Sequence, residues 1–223
     1  MNVYVVRLEE LPDDLYQAFY RMLDMEKQQK IDRYLRREDA LRSLLGDVLI
    51  RHIVKIKYAK KKICFSKNAF GKPHIEGMPQ FHFNISHSGE WIVCVTGTCE
   101  VGIDIEAIKP INLNLMDVIF TDKESKLLLE QEESNRLPMF YNIWTLKEAY
   151  IKTLGKGMSI PLNSFDVSEF TNKVVKIKLG SDPVFLKSIN FHPAYKMSVG
   201  SFKPDLIPTV YRVNINDLLS SLS

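Results

Sequence analysis

The stretch VGIDIE, residues 101–106, constrains this chain most. Read as a β-strand, it sets Val101, Ile103 and Ile105 on one face and Gly102, Asp104 and Glu106 on the other. The first face belongs in a core. The second carries a glycine and then two carboxylates that stand ~6.6 Å apart along the strand and repel each other. Two readings account for them. One is a solvated strand face, the ordinary place for acidic side chains. The other is a shared divalent cation, which turns the repulsion into common attraction and takes hard oxygen ligands such as these.

The surrounding sequence alternates helix and strand periodicities. Val3–Leu8 reads as a first strand, and Pro12–Asp24, Glu26–Leu35 and Glu38–Lys57 read as helices. The last of these has a core stripe of Leu41, Leu44, Leu45, Val48, Leu49 and His52. Short strands follow at Ile63–Ser66, Phe81–Ser86 and Trp91–Gly97, with a turn at Asn68–Pro73. Beyond VGIDIE, Thr121–Glu130 and Leu137–Leu154 read as helices. Phe165–Val167, Lys173–Leu179, Val184–Ile189 and Tyr195–Gly200 read as strands. The mix predicts an α+β fold with antiparallel sheets and helices packed on them.

At 223 residues and 45% hydrophobic content the chain can bury a sizeable core. Three cysteines, Cys64, Cys94 and Cys99, without CxxC spacing indicate neither a disulfide framework nor a zinc site, and a reducing compartment fits. The N-terminus lacks a signal-peptide pattern, and no apolar run reaches the ~20 residues of a membrane span. A cytoplasmic protein without membrane contact is expected. Net charge is only +3, yet Lys27–Lys72 holds 14 basic residues against four acidic ones, so that segment carries +10 and the rest −7. Such a block attracts polyanions. Solvated helix faces account for most of these residues. Nucleic acid is the default partner of such a block, weakened here because no helix-turn-helix, RRM or Cys/His module accompanies it, and a small, highly phosphorylated ligand is the other.

WTLKEAYIK, Trp144–Lys152, adds chemistry to the long second helix. Glu148 and Lys152 are an i, i+4 pair on one face, and Lys147 lies ~100° around from Glu148. Glu148 can be a third carboxylate for a cation, with the two lysines on phosphate oxygens; an ordinary helix salt bridge is the plain alternative. Thr121–Glu124 reads as a capping box. TLGKGMS, after that helix, lacks the GxxxxGK[ST] of a phosphate-binding P-loop.

GIDIE followed by WTLKEAYIK resembles the 4′-phosphopantetheinyl transferases, within them the monomeric, two-half, surfactin-synthetase-activating type. REDALRSLLGDVL (Arg37–Leu49), FGKPHI (Phe70–Ile75) and FNISHSGEW (Phe83–Trp91) extend the resemblance through the N-terminal half. It implies two similar α/β halves related by a pseudo-two-fold, 1–103 and 104–223, with coenzyme A in the cleft between them. It implies transfer of the phosphopantetheine arm of coenzyme A to a serine of an apo acyl- or peptidyl-carrier protein, releasing 3′,5′-ADP. Magnesium is the implied cation, with manganese as a substitute, on Asp104, Glu106 and Glu148. Lys152 is implied on the diphosphate with Lys147 nearby, Ser86 and His87 as phosphate contacts, and Lys27 and Lys30 on the 3′-phosphate. Gly71, Lys72 and Pro73 are implied on the adenine side, and Ser43 as the small hydroxyl residue before LLGD. Glu124 corresponds to the family's proposed general base, a role that stands beside its reading as a helix cap. The apolar segment Ile111–Phe120 is a candidate surface for the acidic carrier, ordinary core packing being the alternative. Fatty-acid, polyketide and nonribosomal-peptide carriers all fit. Two other functions compete: another magnesium-dependent phosphoryl-transfer or hydrolytic enzyme, and a non-catalytic nucleotide-binding protein.

Overall fold

Val3, Val5 and Val6 make the first strand, β1 (Asn2–Arg7), a buried one, and the rest of the first half is built on it. A computed structural model describes residues 1–60, 62–112, 116–170, 174–178 and 182–222. Lys61 of the basic block, Leu113–Leu115 of the apolar segment and the expected strand ends Lys173 and Leu179 lie outside these residues. Helices α1 (Asp13–Arg21) and α2 (Met25–Asp32) lead into the 22-residue α3 (Arg37–Tyr58), whose Leu/Ile/Val stripe is buried as its periodicity predicts. A two-stranded ribbon, β2 (Phe65–Lys67) with β3 (Pro73–Ile75), precedes the hairpin β4 (His82–Ser88) and β5 (Trp91–Gly97).

VGIDIE is β6 (Val101–Ala107) and starts the plan again. Helices α4 (Met116–Ile119) and α5 (Asp122–Leu129) lead into a second 22-residue helix, α6 (Glu133–Leu154). Then come β7 (Val175–Ile177), β8 (Val184–Ile189) and β9 (Tyr195–Ser201). In the first half the sheet runs β1-β5-β4, and in the second β6-β9-β8, with all these neighbours antiparallel. The same strand–helix–strand–strand path is therefore wound twice. β7 adds to the edge of the second sheet. The C-terminal β10 (Thr209–Arg212) returns to pair parallel with β1, and α7 (Ile215–Leu219) buries Leu218 in the first core. The expected boundary at 103/104 falls inside β6, and residues 209–222 pack on the first half. None of the described helices is long and apolar enough to cross a membrane.

The two sheets pack face to face through Val3, Val5, Val93 and Val95 on one side and Ile103, Ile105, Met197 and Val199 on the other. At one edge β4 lies beside β6, joined by side chains. Asn84 Oδ1 accepts from Ile103 N, Ser86 Oγ donates to Asp104 Oδ1, and Ser88 Oγ donates to Glu106 while accepting from Ala107 N. These three residues alternate along β4, so the period-2 geometry of the strand spaces the zipper.

Two expectations change. The Gly102–Asp104–Glu106 face is not solvated: α6 covers it, and Asp104 is only 2% exposed. Phe165–Val167 joins no sheet; Val167 N is spent on Glu124 Oε1 at 2.7 Å. The sequence also gave no sign of β3, α4, β10 or α7.

Candidate active site

Glycine sets how closely α6 approaches β6. A Cβ built on Gly102 would stand 2.3 Å from the Ala149 carbonyl oxygen and 2.6 Å from Thr153 Oγ1, and one on Gly200 would stand 2.3 Å from Thr153 Oγ1. Only bare backbone lets the helix settle there. This contact brings the helix face bearing Glu148 and Lys152 over Asp104 and Glu106. Lys152 Nζ lies 2.5 Å from Asp104 Oδ1 and 3.2 Å from Ser86 Oγ, and Ser86 donates to the same Asp104 oxygen at 2.8 Å.

The three acids feel one another. Burial raises the Asp104 carboxyl above the usual range, against the pull of Lys152 and Ser86. Burial and then the charge of Asp104 push Glu106 up to about 7, with Glu148 adding to the rise. Glu148 is raised by burial, opposed by Lys152 and reinforced by Asp104. Asp104 Oδ2 is buried and has no hydrogen-bond partner. An orphaned carboxylate oxygen, with two further acids near enough to raise each other, suits a hard divalent cation such as magnesium. Among the described residues no three acidic, histidine or cysteine side chains are grouped so as to hold a metal ion, and Lys152 supplies the positive charge against Asp104.

The neighbour of Ser86 on β4 leads into a concavity of the first half. A cleft of about 440 Å³ is lined by Lys27, Lys30, Ser43, Gly71, Pro73 and His87. Six of the residues singled out from the sequence thus share one cleft. Burial, and then the charges of Lys30, Lys67 and Arg51, lower the Lys27 ammonium, while Asp47 raises it. His87 is lowered by desolvation against the cleft wall and by Arg42 and Lys152. The turn after His87 is held from both halves: Arg42 Nε donates to Gly89 O at 2.9 Å, and Tyr195 OH accepts from Glu90 N at 3.1 Å. Gly71, at φ 87°, turns the 68–73 loop into the cleft, and Asn68 Oδ1 fixes that loop by accepting from Phe70 N and Lys72 N.

Three of the expected residues do other work. The Lys72 ammonium turns toward the second half, where it bonds Glu100 (2.6 Å), Val101 O (3.0 Å) and Thr153 O (3.3 Å). With Asn68 Nδ2 on Gly155 O it clamps the loop to the end of α6. Lys147 is fully buried. Its ammonium pairs with Glu124 Oε2 at 2.8 Å and donates to Leu162 O and Phe165 O. Glu124, also 0% exposed, completes the capping box with Thr121 and accepts from Val167 N. Both of its oxygens accept hydrogen bonds, which accounts for its reading as a helix cap, the role that stands beside that of a general base. Of the Ile111–Phe120 segment, Met116, Ile119 and Phe120 are core and Val118 is exposed. Sequence reading missed Arg42, Tyr195 and Lys67. The basic block contained the first and last; nothing along the chain ties Tyr195 to a turn more than a hundred residues earlier.

Similarity to known proteins follows the same division. Residues 12–99 match the model for the N-terminal region of 4′-phosphopantetheinyl transferases, and residues 100–200 match the 4′-phosphopantetheinyl transferase superfamily model. The chain is 37% identical to 4′-phosphopantetheinyl transferase Sfp of Bacillus subtilis (strain 168), over 98% of this chain and 100% of that one. It is 36% identical to 4′-phosphopantetheinyl transferase psf-1 of Bacillus pumilus, over 100% and 99%. It is 40% identical to 4′-phosphopantetheinyl transferase gsp of Aneurinibacillus migulanus, over 78% and 73%. With the twice-wound fold, these likenesses make the chain a member of the 4′-phosphopantetheinyl transferase family.

Proposed function

We propose that the protein transfers the 4′-phosphopantetheine arm of coenzyme A to a serine hydroxyl of an apo acyl- or peptidyl-carrier protein and releases 3′,5′-ADP. One juxtaposition carries the reading of the site. On β4, His87 faces a cationic cleft while its neighbour Ser86 bonds the Lys152–Asp104 pair. A ligand with a phosphorylated nucleotide at one end and a diphosphate at the other spans both places.

Lys27, Lys30 and His87 bind the 3′-phosphate, and Gly71 and Pro73 offer backbone to the adenine. Ser43 stands on the wall between. Residues 1–103 thus supply the nucleotide side, and residues 104–223 the acids and the catalytic helix. Lys152 approaches the diphosphate and offsets charge that builds on its oxygens as the serine attacks the β-phosphorus. Ser86 orients Lys152 and, with it, opposes the rise that burial imposes on the Asp104 carboxyl. Asp104, Glu106 and Glu148 would hold magnesium or manganese, which supplies Lewis-acid stabilisation of the diphosphate when bound. Lys147 and Glu124 keep α5, α6 and the 162–167 loop in place. Because one chain carries both the cleft, lined within residues 24–87, and the acids of the second half, the protein works as a monomer. Its partners are coenzyme A and carrier domains, with no nucleic acid or membrane, and the cytoplasm is its compartment.

Incubation with coenzyme A, magnesium and an apo carrier, followed by intact-mass spectrometry, tests the reading. A carrier heavier by one phosphopantetheine group on its serine is expected. No adduct on any of several carriers, with coenzyme A hydrolysed instead, favours a hydrolytic enzyme.

A further inference from the structure

The two halves share more than strand order. α2 and α5 each have eight residues, α3 and α6 each have 22, and each long helix precedes an antiparallel hairpin of its sheet. The nucleotide cleft lies where α3 passes over β4. Ser43 and Gly46, the seventh and tenth residues of α3, face it together with Ile85, which pairs with the fourth residue of β5. The equivalent place in the second half is where α6 passes over β8. There Met139 and Asn142, the seventh and tenth residues of α6, and Ser188, paired with the fourth residue of β9, line a separate cavity of about 470 Å³.

The chemistry of this cavity is one-sided. Asp24, Glu26 and Asp47 line the cleft, whereas the residues lining the second cavity include no acid. Lys187 and Lys196 face it, with Asn135, Asn142 and Asn190. Ser188 Oγ donates to Asn142 Oδ1 at 2.8 Å, which spends the acceptor of that amide and leaves its donor. Lys187 gives one proton to Leu206 O at 3.2 Å and keeps two. Lys196 opposes Glu106 across the strands, yet forms no ion pair with any described carboxylate. Phe170 adds an aromatic wall. Cationic and amide donors converging without a competing carboxylate select an anion with several acceptor oxygens.

We propose that this pocket is a second, independent binding site for a small phosphate-bearing anion. It takes either a free phosphate or the phosphate of a nucleotide whose base meets Phe170. It lies across α6 from Glu148 and takes no part in the transfer reaction.

Calorimetric titration of the full chain carrying Lys27→Ala and Lys30→Ala tests this, since those changes weaken the cleft and leave the pocket intact. Inorganic pyrophosphate and adenosine 3′,5′-bisphosphate are titrated separately at fixed ionic strength. One remaining site is expected, about tenfold or more weaker after Lys196→Met and regained with Lys196→Arg. Binding of both probes identifies the phosphate as the determinant; binding of the bisphosphate alone identifies the nucleotide. No remaining site overturns the proposal, as does binding unchanged by Lys187→Met and Lys196→Met together. An unchanged titration with a raised KM for the carrier also overturns it and makes the lysines a carrier contact. Melting curves recorded alongside separate lost binding from lost folding.

Discussion

Lys147 and Lys152 sit five residues apart on one helix and meet opposite fates. Lys147 is sealed with Glu124 in a buried pair, while Lys152 is partly exposed against Asp104 and Ser86. Lys147→Ala leaves Glu124 buried and uncompensated, which costs about 3–5 kcal/mol of unfolding free energy by urea titration. Lys152→Ala is expected to cut turnover about 10²–10³-fold, with a smaller change in melting temperature than Lys147→Ala gives. The reverse pattern would exchange their roles. Glu106 sets a pH dependence. Its folded value of about 7 lies above that of an unfolded glutamate, so the folded state holds the proton more tightly. Its contribution to stability is complete below the unfolded carboxylate range and is lost as pH rises toward 7. In metal-free protein the melting temperature is expected to fall from about pH 5 to about pH 7, and Glu106→Gln to flatten that fall. An unchanged slope in the variant would remove Glu106 as the cause.

At the scale of elements, the close seating of α6 on β6 decides whether the acids and Lys152 meet. Gly102→Ala pushes a methyl group into the Ala149 carbonyl, where no flexible side chain can yield. A loss of about 1–3 kcal/mol is expected, with reduced turnover as Glu148 and Lys152 lift away. Full activity would show that the helix tolerates the shift. The same elements mark what the sequence could reveal. VGIDIE alternates as a strand and α3 and α6 carry long apolar stripes, so their identities were legible. So were the acids, because their spacing is local. What covers the acids was not, since α6 arrives from forty residues away and the alternation of one strand cannot distinguish water from a helix. Pro138 hid the first turn of α6. Lys72 and Glu124 lie at family positions, but their partners come from remote elements, and burial rather than residue type decides what each does.

For the molecule as a whole, the twice-wound path is the principal fact. In the first half the space between the long helix and its strand opens as the cleft lined by Lys27, Lys30 and Lys67. In the second half Glu124–Lys147 closes the core between α5 and α6, and the equivalent cavity survives on the flank. The function depends on how the halves join. The β4–β6 side-chain zipper, the Lys72 clamp and Tyr195 each tie a cleft loop or strand of one half to the other. The central proposal is that Asp104, Glu106 and Glu148, at that junction, would take up one divalent ion together beside the diphosphate of bound coenzyme A. Electron paramagnetic resonance titration with Mn²⁺, with coenzyme A present, tests it most directly. One ion bound per chain is expected, lost in Asp104→Asn and in Glu148→Gln. Equal Mn²⁺ binding by both variants, or none by the unaltered protein, would contradict it.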